Sequence, residues 1–162
     1  MCSSVKYTTS GPEFRGPVKR LVRRLTREDE GIWRRFVERN ASDPMVNARP
    51  GSQAVVRDFL FLCRGLPVDY CAALEEGEIA GMAGVNPMTR TVDEIGTLSV
   101  EPRQRRKGFA RSLMTVATKD ILARGHVPAY HAAGNPSERL DLHAMLTGLG
   151  YRLVVCAWGT RT

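Results

Sequence analysis

The sequence predicts an α/β domain of the mixed α+β kind, with a mostly antiparallel central sheet flanked by helices on both faces. Three observations lead there. The runs Tyr70–Glu75, Ile79–Val85 and Val92–Val100 are separated by short turn-forming segments, the pattern of antiparallel strands joined by hairpins. The stretch 92–132 reads strand–helix–strand, a unit that closes as a right-handed parallel crossover. A further helix (136–149) and a last strand (151–158) follow it.

The elements can be justified in order. Residues 1–16 carry Ser, Thr, Gly and Pro with little periodicity, so they read as a flexible N-terminal arm before a single domain over 17–162. Val18 to Leu25 alternates apolar and basic residues and predicts a first strand. Thr26-Arg27-Glu28-Asp29 resembles a capping box, and the helix it opens places Ile32, Trp33, Phe36 and Val37 on one face. Asn40 to Gly51 reads as a loop, and Ser52 caps a second helix that buries Val55, Val56, Phe59, Leu60 and Leu62. Glu76-Gly77 is a tight turn, and Pro87 to Thr91 another. A helix over 108–123 turns Phe109, Leu113, Val116, Ala117, Ile121 and Leu122 inward, and Gly125 stops it.

Length and composition narrow the function. A chain of 162 residues is one domain large enough to bury a core. No apolar run approaches the roughly 20 residues that span a bilayer. The N-terminus lacks the apolar core of a signal peptide, so a cytoplasmic protein is expected. Cys2, Cys63, Cys71 and Cys156 form no CxxC pair and no His/Cys cluster, so they read as free thiols, with no metal site. The net charge of +7 suits an anionic partner: a phosphorylated ligand, a nucleic acid or a membrane surface. Of the basic clusters Lys19–Arg24, Arg34–Arg35 and Arg103–Lys107, only the last has a context that explains it.

That context is Leu98-Ser99-Val100-Glu101-Pro102-Arg103-Gln104-Arg105-Arg106-Lys107-Gly108-Phe109-Ala110. A strand ends, a Pro-containing loop turns, and a helix starts at a glycine. The first turn of a helix carries free N–H groups and the positive end of the dipole. Gly108 and Ala110 are small enough for an anion to approach the backbone, and Arg103, Arg105, Arg106 and Lys107 add charge around it. The segment reads as a pyrophosphate site, with an arginine-rich surface loop as the plainer reading.

The same residues resemble the signature of the GNAT superfamily of acyl-CoA-dependent N-acyltransferases. Its loop, (Gln/Arg)-x-x-Gly-x-(Gly/Ala), is matched by Arg105-Arg106-Lys107-Gly108-Phe109-Ala110. Glu76-Gly77-Glu78-Ile79-Ala80-Gly81 is similar to the family's strand–turn–strand, and Asn135 with Leu149-Gly150-Tyr151 to its last motif. The resemblance spans about residues 18–158 and implies a GNAT fold, acetyl-CoA as cosubstrate and transfer of acetyl to an amine. Leu98, Ser99 and Val100 would pair with the pantetheine arm. Arg105, Arg106, Lys107, Gly108, Phe109, Ala110 and Arg111 would hold the pyrophosphate, and Asn135 would lie near the arm or cap a helix. The strands 92–100 and 127–133 would splay apart to admit the thioester.

An alkylammonium must lose a proton before it attacks. Glu94 is the candidate base, since alternation puts 94, 96, 98 and 100 on one face while Asp93 faces away. In the family a tyrosine usually protonates the departing thiolate; here its position holds Leu146. His143, one turn earlier, is the candidate substitute, with His131 and Ser137 behind it. After Tyr151 only one strand's worth of chain remains where many relatives have two, which suggests a homodimer that completes the sheet. The missing tyrosine also keeps open a non-catalytic coenzyme A-binding module or a different acyl donor. Positive charge alone raises a nucleic-acid acceptor, which ranks behind a small molecule or peptide.

Overall fold

The computed structural model describes residues 2–40, 69–133 and 139–158. Among them are β1 (Cys2–Thr8), β2 (Val22–Arg24), α1 (Glu30–Arg39), β3 (Asp69–Glu75), β4 (Glu78–Pro87), β5 (Val92–Val100), α2 (Phe109–Ala123), β6 (Val127–Ala133), α3 (Leu140–Gly148) and β7 (Arg152–Trp158). The strands form one sheet in the order β2-β3-β4-β5-β6-β1-β7. Only β5 and β6 are parallel, joined by the crossover helix α2. The fold class read from the sequence is the one observed. The expected loop at 40–51 and helix after Ser52 fall almost wholly outside the described residues, as do Asn135 and Ser137.

Alternation along the strands gives the sheet two separate cores. Cys71, Ala83, Val85 and Ile95 pack with Leu113, Met114 and Ile121 of α2 and Leu146 of α3. Ala72 and Met82 point the other way, against Trp33, Phe36 and Val37 of α1. Trp33 and Phe36 are fully buried, each contributing about 1.5–3 kcal/mol by leaving water. Helix α1 is held at its start by Asp29, whose carboxylate accepts from the Thr26 backbone N–H at 2.8 Å and from Arg23 at 2.7 Å. The Arg23 hydrogen bond pulls the Asp29 pKa down to about 2, against the cost of its burial. The β3–β4 hairpin turns through Glu76 and Gly77, both at positive φ (52° and 79°), as a two-residue turn of the favoured hand requires. Among the described residues, no helix is long and apolar enough to cross a membrane.

Residues 2–8 are a correction. The sequence reading put them in a flexible arm; they form β1, which lies between β6 and β7 and is antiparallel to both. Val5 and Tyr7 project from it into the α2/α3 core and are each 2% exposed. The local run offers only those two apolar positions and no hairpin turn, and its partners lie more than 120 residues further on: Tyr7 faces Tyr130 on β6. The N-terminal strand thus fills the place between β6 and β7. Beyond β6 the sheet holds two strands, β1 and the edge strand β7.

Candidate active site

The site is organised by a break in β5. Ile95 pairs with Val85 and Gly96 with Gly84, but Ser99 pairs with Met82, so β5 carries one extra residue between them. Thr97 is at φ 50°, unusual for a β-branched residue, and is exposed. An extra residue reverses the alternation. The expected common face of 94, 96, 98 and 100 is therefore corrected. Val100 lies opposite Gly81 and, with Leu98, packs against the α2/α3 core. Glu94 lies opposite Asn86 and Gly96 opposite Gly84, on the α1 face. Glu94 is half-buried and has no hydrogen-bond or ion-pair partner among the described residues. Its neighbour Asp93 is committed elsewhere: it is 2% exposed and holds His126 Nδ1 at 3.0 Å and Arg124 at 3.1 Å.

The parallel pairing of β5 and β6 runs from Val92↔Val127 to Ile95↔Tyr130 and stops there, although β5 continues to Val100 and β6 to Ala133. The two strands part at Ile95 and Tyr130 and form a fork.

Beyond the fork β5 runs into the basic loop. A short 3-10 turn, Pro102–Gln104, is followed by extended Arg105, by Arg106 at φ 62° and by Gly108 at φ 89°. Left-handed residues alternating with right-handed or extended ones turn successive amides toward one concavity. The first bond inside α2 is Ser112 N–H to the Gly108 carbonyl, so the amides of 109–111 stay open at the positive end of the helix. No protein atom lies within 4 Å of where a Cβ on Gly108 would stand, which leaves room for a phosphate against the backbone. Lys107 serves the loop itself: its Nζ donates to Gln104 at 2.8 Å, and its carbonyl accepts from Arg20 Nε at 3.1 Å. The Arg20 guanidinium also lies 4.8 Å over the buried Phe109 ring, bracing the start of α2.

Loop, fork and α3 enclose a cleft of about 560 Å³. Leu98, Ser99 and Val100 form one wall, Leu142 and Met145 of α3 the other, and Arg105, Arg106, Gly108, Phe109, Ala110 and Arg111 one end. The structure thus brings together every described candidate coenzyme A-binding residue except Lys107, which braces the loop; Asn135 lies outside the described residues. One contact differs from expectation. The Val100 carbonyl, expected to pair with pantetheine, accepts from Arg105 Nε at 3.2 Å. The Ser99 hydroxyl is buried without a hydrogen-bond partner.

Tyr130 and Arg139 are among the cleft residues absent from the sequence-based candidates. Tyr130 stands at the vertex of the fork. Burial pushes its phenol up to about 12, opposed by Arg139 and reinforced by Tyr7 and Glu94. The described candidate proton donors are placed elsewhere. His143 does not line the cleft; its Nδ1 lies 3.1 Å from the Tyr7 hydroxyl. Leu146 is fully buried in the core, and His131 is exposed. Among the described residues, no cluster of His, Cys, Asp and Glu could hold a metal ion.

A parallel crossover, a forked β5/β6 pair and a basic loop opening α2 define an acyltransferase fold. The acetyltransferase (GNAT) family model matches residues 32–151, and the chain belongs to that family. No curated protein sequence matches it. Among solved structures it is similar to a protein of the GNAT family from Novosphingobium aromaticivorans, at 18% identity and TM-score 0.65, over 93% of this chain and 59% of that one. A GNAT-family acetyltransferase from Colwellia psychrerythraea aligns at 13% identity and TM-score 0.73, over 94% and 53%. AAC(6')-Iy, solved with the bisubstrate analogue CoA-S-monomethyl-acetylneamine, aligns at 16% identity and TM-score 0.66, over 88% and 97%. At these identities the likeness is one of fold. The chain spans between half and three fifths of the first two structures.

Proposed function

We infer that this chain is an N-acetyltransferase that transfers acetyl from acetyl-CoA to a primary amine of a small molecule or peptide. One observation carries the reading. A single cleft has open helix amides and the guanidiniums of Arg105, Arg106 and Arg111 at one end, and the fork at its side leads toward Glu94. A pyrophosphate held at the loop directs the thioester along β5 into the fork, where the main chain of Leu98 and Val100 can pair with it as an added strand does. The Val100 carbonyl already accepts one bond from Arg105 and keeps a second lone pair for such pairing. Glu94, on the α1 face and without a partner among the described residues, would take the amine's proton, directly or through one water.

The test is thermal unfolding with acetyl-CoA, free coenzyme A and a longer acyl-CoA. Ligand at about 100 times its dissociation constant stabilises by about 2.7 kcal/mol, a shift of roughly 5–10 °C for a domain of this size. A shift that grows with the acetyl group supports the donor; no shift with any of the three removes the reading.

A second reading is favoured by one residue. Leu146, where the family's tyrosine stands, is fully buried and carries no proton, which fits a coenzyme A-binding module without turnover. Release of free thiol from acetyl-CoA across a panel of amines separates the two.

A further inference from the structure

The described candidates for assisting the thiol leaving group are turned away from the cleft, and one residue the sequence reading passed over is turned toward it. Resting on the acetyl-CoA reading above, we propose that Tyr130 is a catalytic residue whose hydroxyl donates a hydrogen bond to the thioester sulfur and stabilises the departing thiolate without giving up its proton.

Four observations place it there. Tyr130 lines the cleft and is 7% exposed. It is the last residue of β6 paired with β5, so it occupies the vertex at which the strands part. It packs with Ile95 and Tyr7 in the α2/α3 core, on the opposite sheet face from Glu94. Its hydroxyl has no partner among the described residues and is not among the sealed, unsatisfied polar atoms, so it opens into the cleft. The cross-strand neighbour Tyr7 cannot compete for the same role, because its own hydroxyl is engaged with His143.

The fork therefore puts a carboxylate on one face and a phenol on the other, with the reacting carbonyl between them. As the amine nitrogen bonds to the carbonyl carbon, the C–S bond breaks and its electron pair passes to sulfur. The amine's proton goes to Glu94, and the thiolate takes its proton from water on release. An alkyl thiol ionises near about 8.5, well below the value of about 12 to which burial holds the Tyr130 phenol. A full proton transfer from phenol to thiolate would run uphill, whereas a hydrogen bond to the anion does not. The charged and titratable groups that act on the phenol are Arg139, Tyr7 and Glu94. Arg105, Arg106, Arg111 and Asp141 line the rest of the cleft.

The experiment needs no acceptor. Dissociation constants of free coenzyme A and of S-methyl-coenzyme A are measured between pH 7 and 9.5 for the wild type and for Tyr130→Phe. A hydrogen bond to a charged group is worth about tenfold or more in affinity. The wild type is expected to bind coenzyme A about tenfold more tightly, relative to the thioether, as the thiol ionises. In Tyr130→Phe that gain is lost while binding of the thioether is unchanged, which also shows that the cleft is intact. The arginines hold the pyrophosphate of both ligands alike, and their pull on the thiolate is common to both proteins, so it cancels when Tyr130→Phe is compared with the wild type. A second readout is the thiolate absorbance of bound coenzyme A, which should appear at lower pH in the wild type than in Tyr130→Phe. The same pH dependence in both proteins, or a bound thiol that ionises no earlier in the wild type than in Tyr130→Phe, would overturn the proposal. Failure of both ligands to bind the wild type would instead remove the coenzyme A reading, and this inference with it.

Discussion

Gly108 and Gly150 have nearly the same backbone torsion, φ 89° and 90°, in opposite surroundings. A Cβ on Gly108 would meet nothing within 4 Å; one on Gly150 would collide with the Glu13 carbonyl, its carbon only 2.7 Å away. Gly108 keeps a concavity open above the first turn of α2. Gly150 lets the segment behind β1 lie flat against the turn that leads into β7. There Arg15 N–H reaches the Leu149 carbonyl at 3.0 Å, and the Thr9 hydroxyl reaches the Gly150 carbonyl at 2.7 Å. The left-handed conformation thus leaves open space at one place and permits a close chain contact at the other, and substitution should separate the two.

The largest effect is expected at Gly150. Gly150→Ala adds a backbone collision to the cost of a left-handed alanine, and both the Glu13 segment and the C-terminal turn must move. A loss of about 2–4 kcal/mol is expected in urea unfolding. Because the collision lies on the N-terminal segment, hydrogen exchange should rise first in β1 and β7, while α2 stays protected. Uniform loss of protection, or a stability change below about 1 kcal/mol, would show that β1 is not a separate seam of the fold.

The same contrast explains what could be read in the sequence. The loop from Val100 to Ala110 was legible because its signals are local: a strand end, a proline, a run of cations and a glycine at a helix start. The hairpins and the crossover were legible for the same reason. Strand β1 was not, because Val5 and Tyr7 gain their partners only when chain from 130 onward folds beside them. The extra residue at Thr97 was equally hidden, since nothing about a threonine announces a positive φ. It misplaced Leu98 and Val100 relative to Glu94 without disturbing the strand assignment. Tyr130 was passed over because an aromatic residue at an alternating strand position reads as core. Its difference from a core tyrosine is the fork, which appears only when the β5–β6 pairing is seen to stop.

Gly108 gives the complementary, smaller prediction. Gly108→Ala meets no protein atom, so its cost is that of the torsion alone, about 1–2 kcal/mol. The added methyl would, however, stand where a phosphate approaches the open amides. Affinity for acetyl-CoA, measured by calorimetry at fixed salt, is expected to fall about tenfold, equivalent to about 1.4 kcal/mol. Unchanged affinity would move the pyrophosphate away from this helix start and leave Gly108 with a purely local role.

The smallest effect lies at a third junction, where charge rather than shape holds the chain. Asp29 ties Arg23 to the start of α1, on the sheet face that carries Glu94. Its folded pKa of about 2 lies below the ordinary value of 3.8. The stabilisation is therefore complete above about pH 5 and is lost as pH falls through 4 toward 2. Because Arg23 is 42% exposed, solvent screening holds the contribution to about 1–2 kcal/mol. Unfolding free energies of the wild type and Asp29→Asn should differ by about that amount at pH 7 and converge only as pH falls below about 2. A difference that stays constant with pH would mean that the carboxylate acts through the Thr26 cap geometry and not through its charge. The junction would then join Gly150 as a contact of shape.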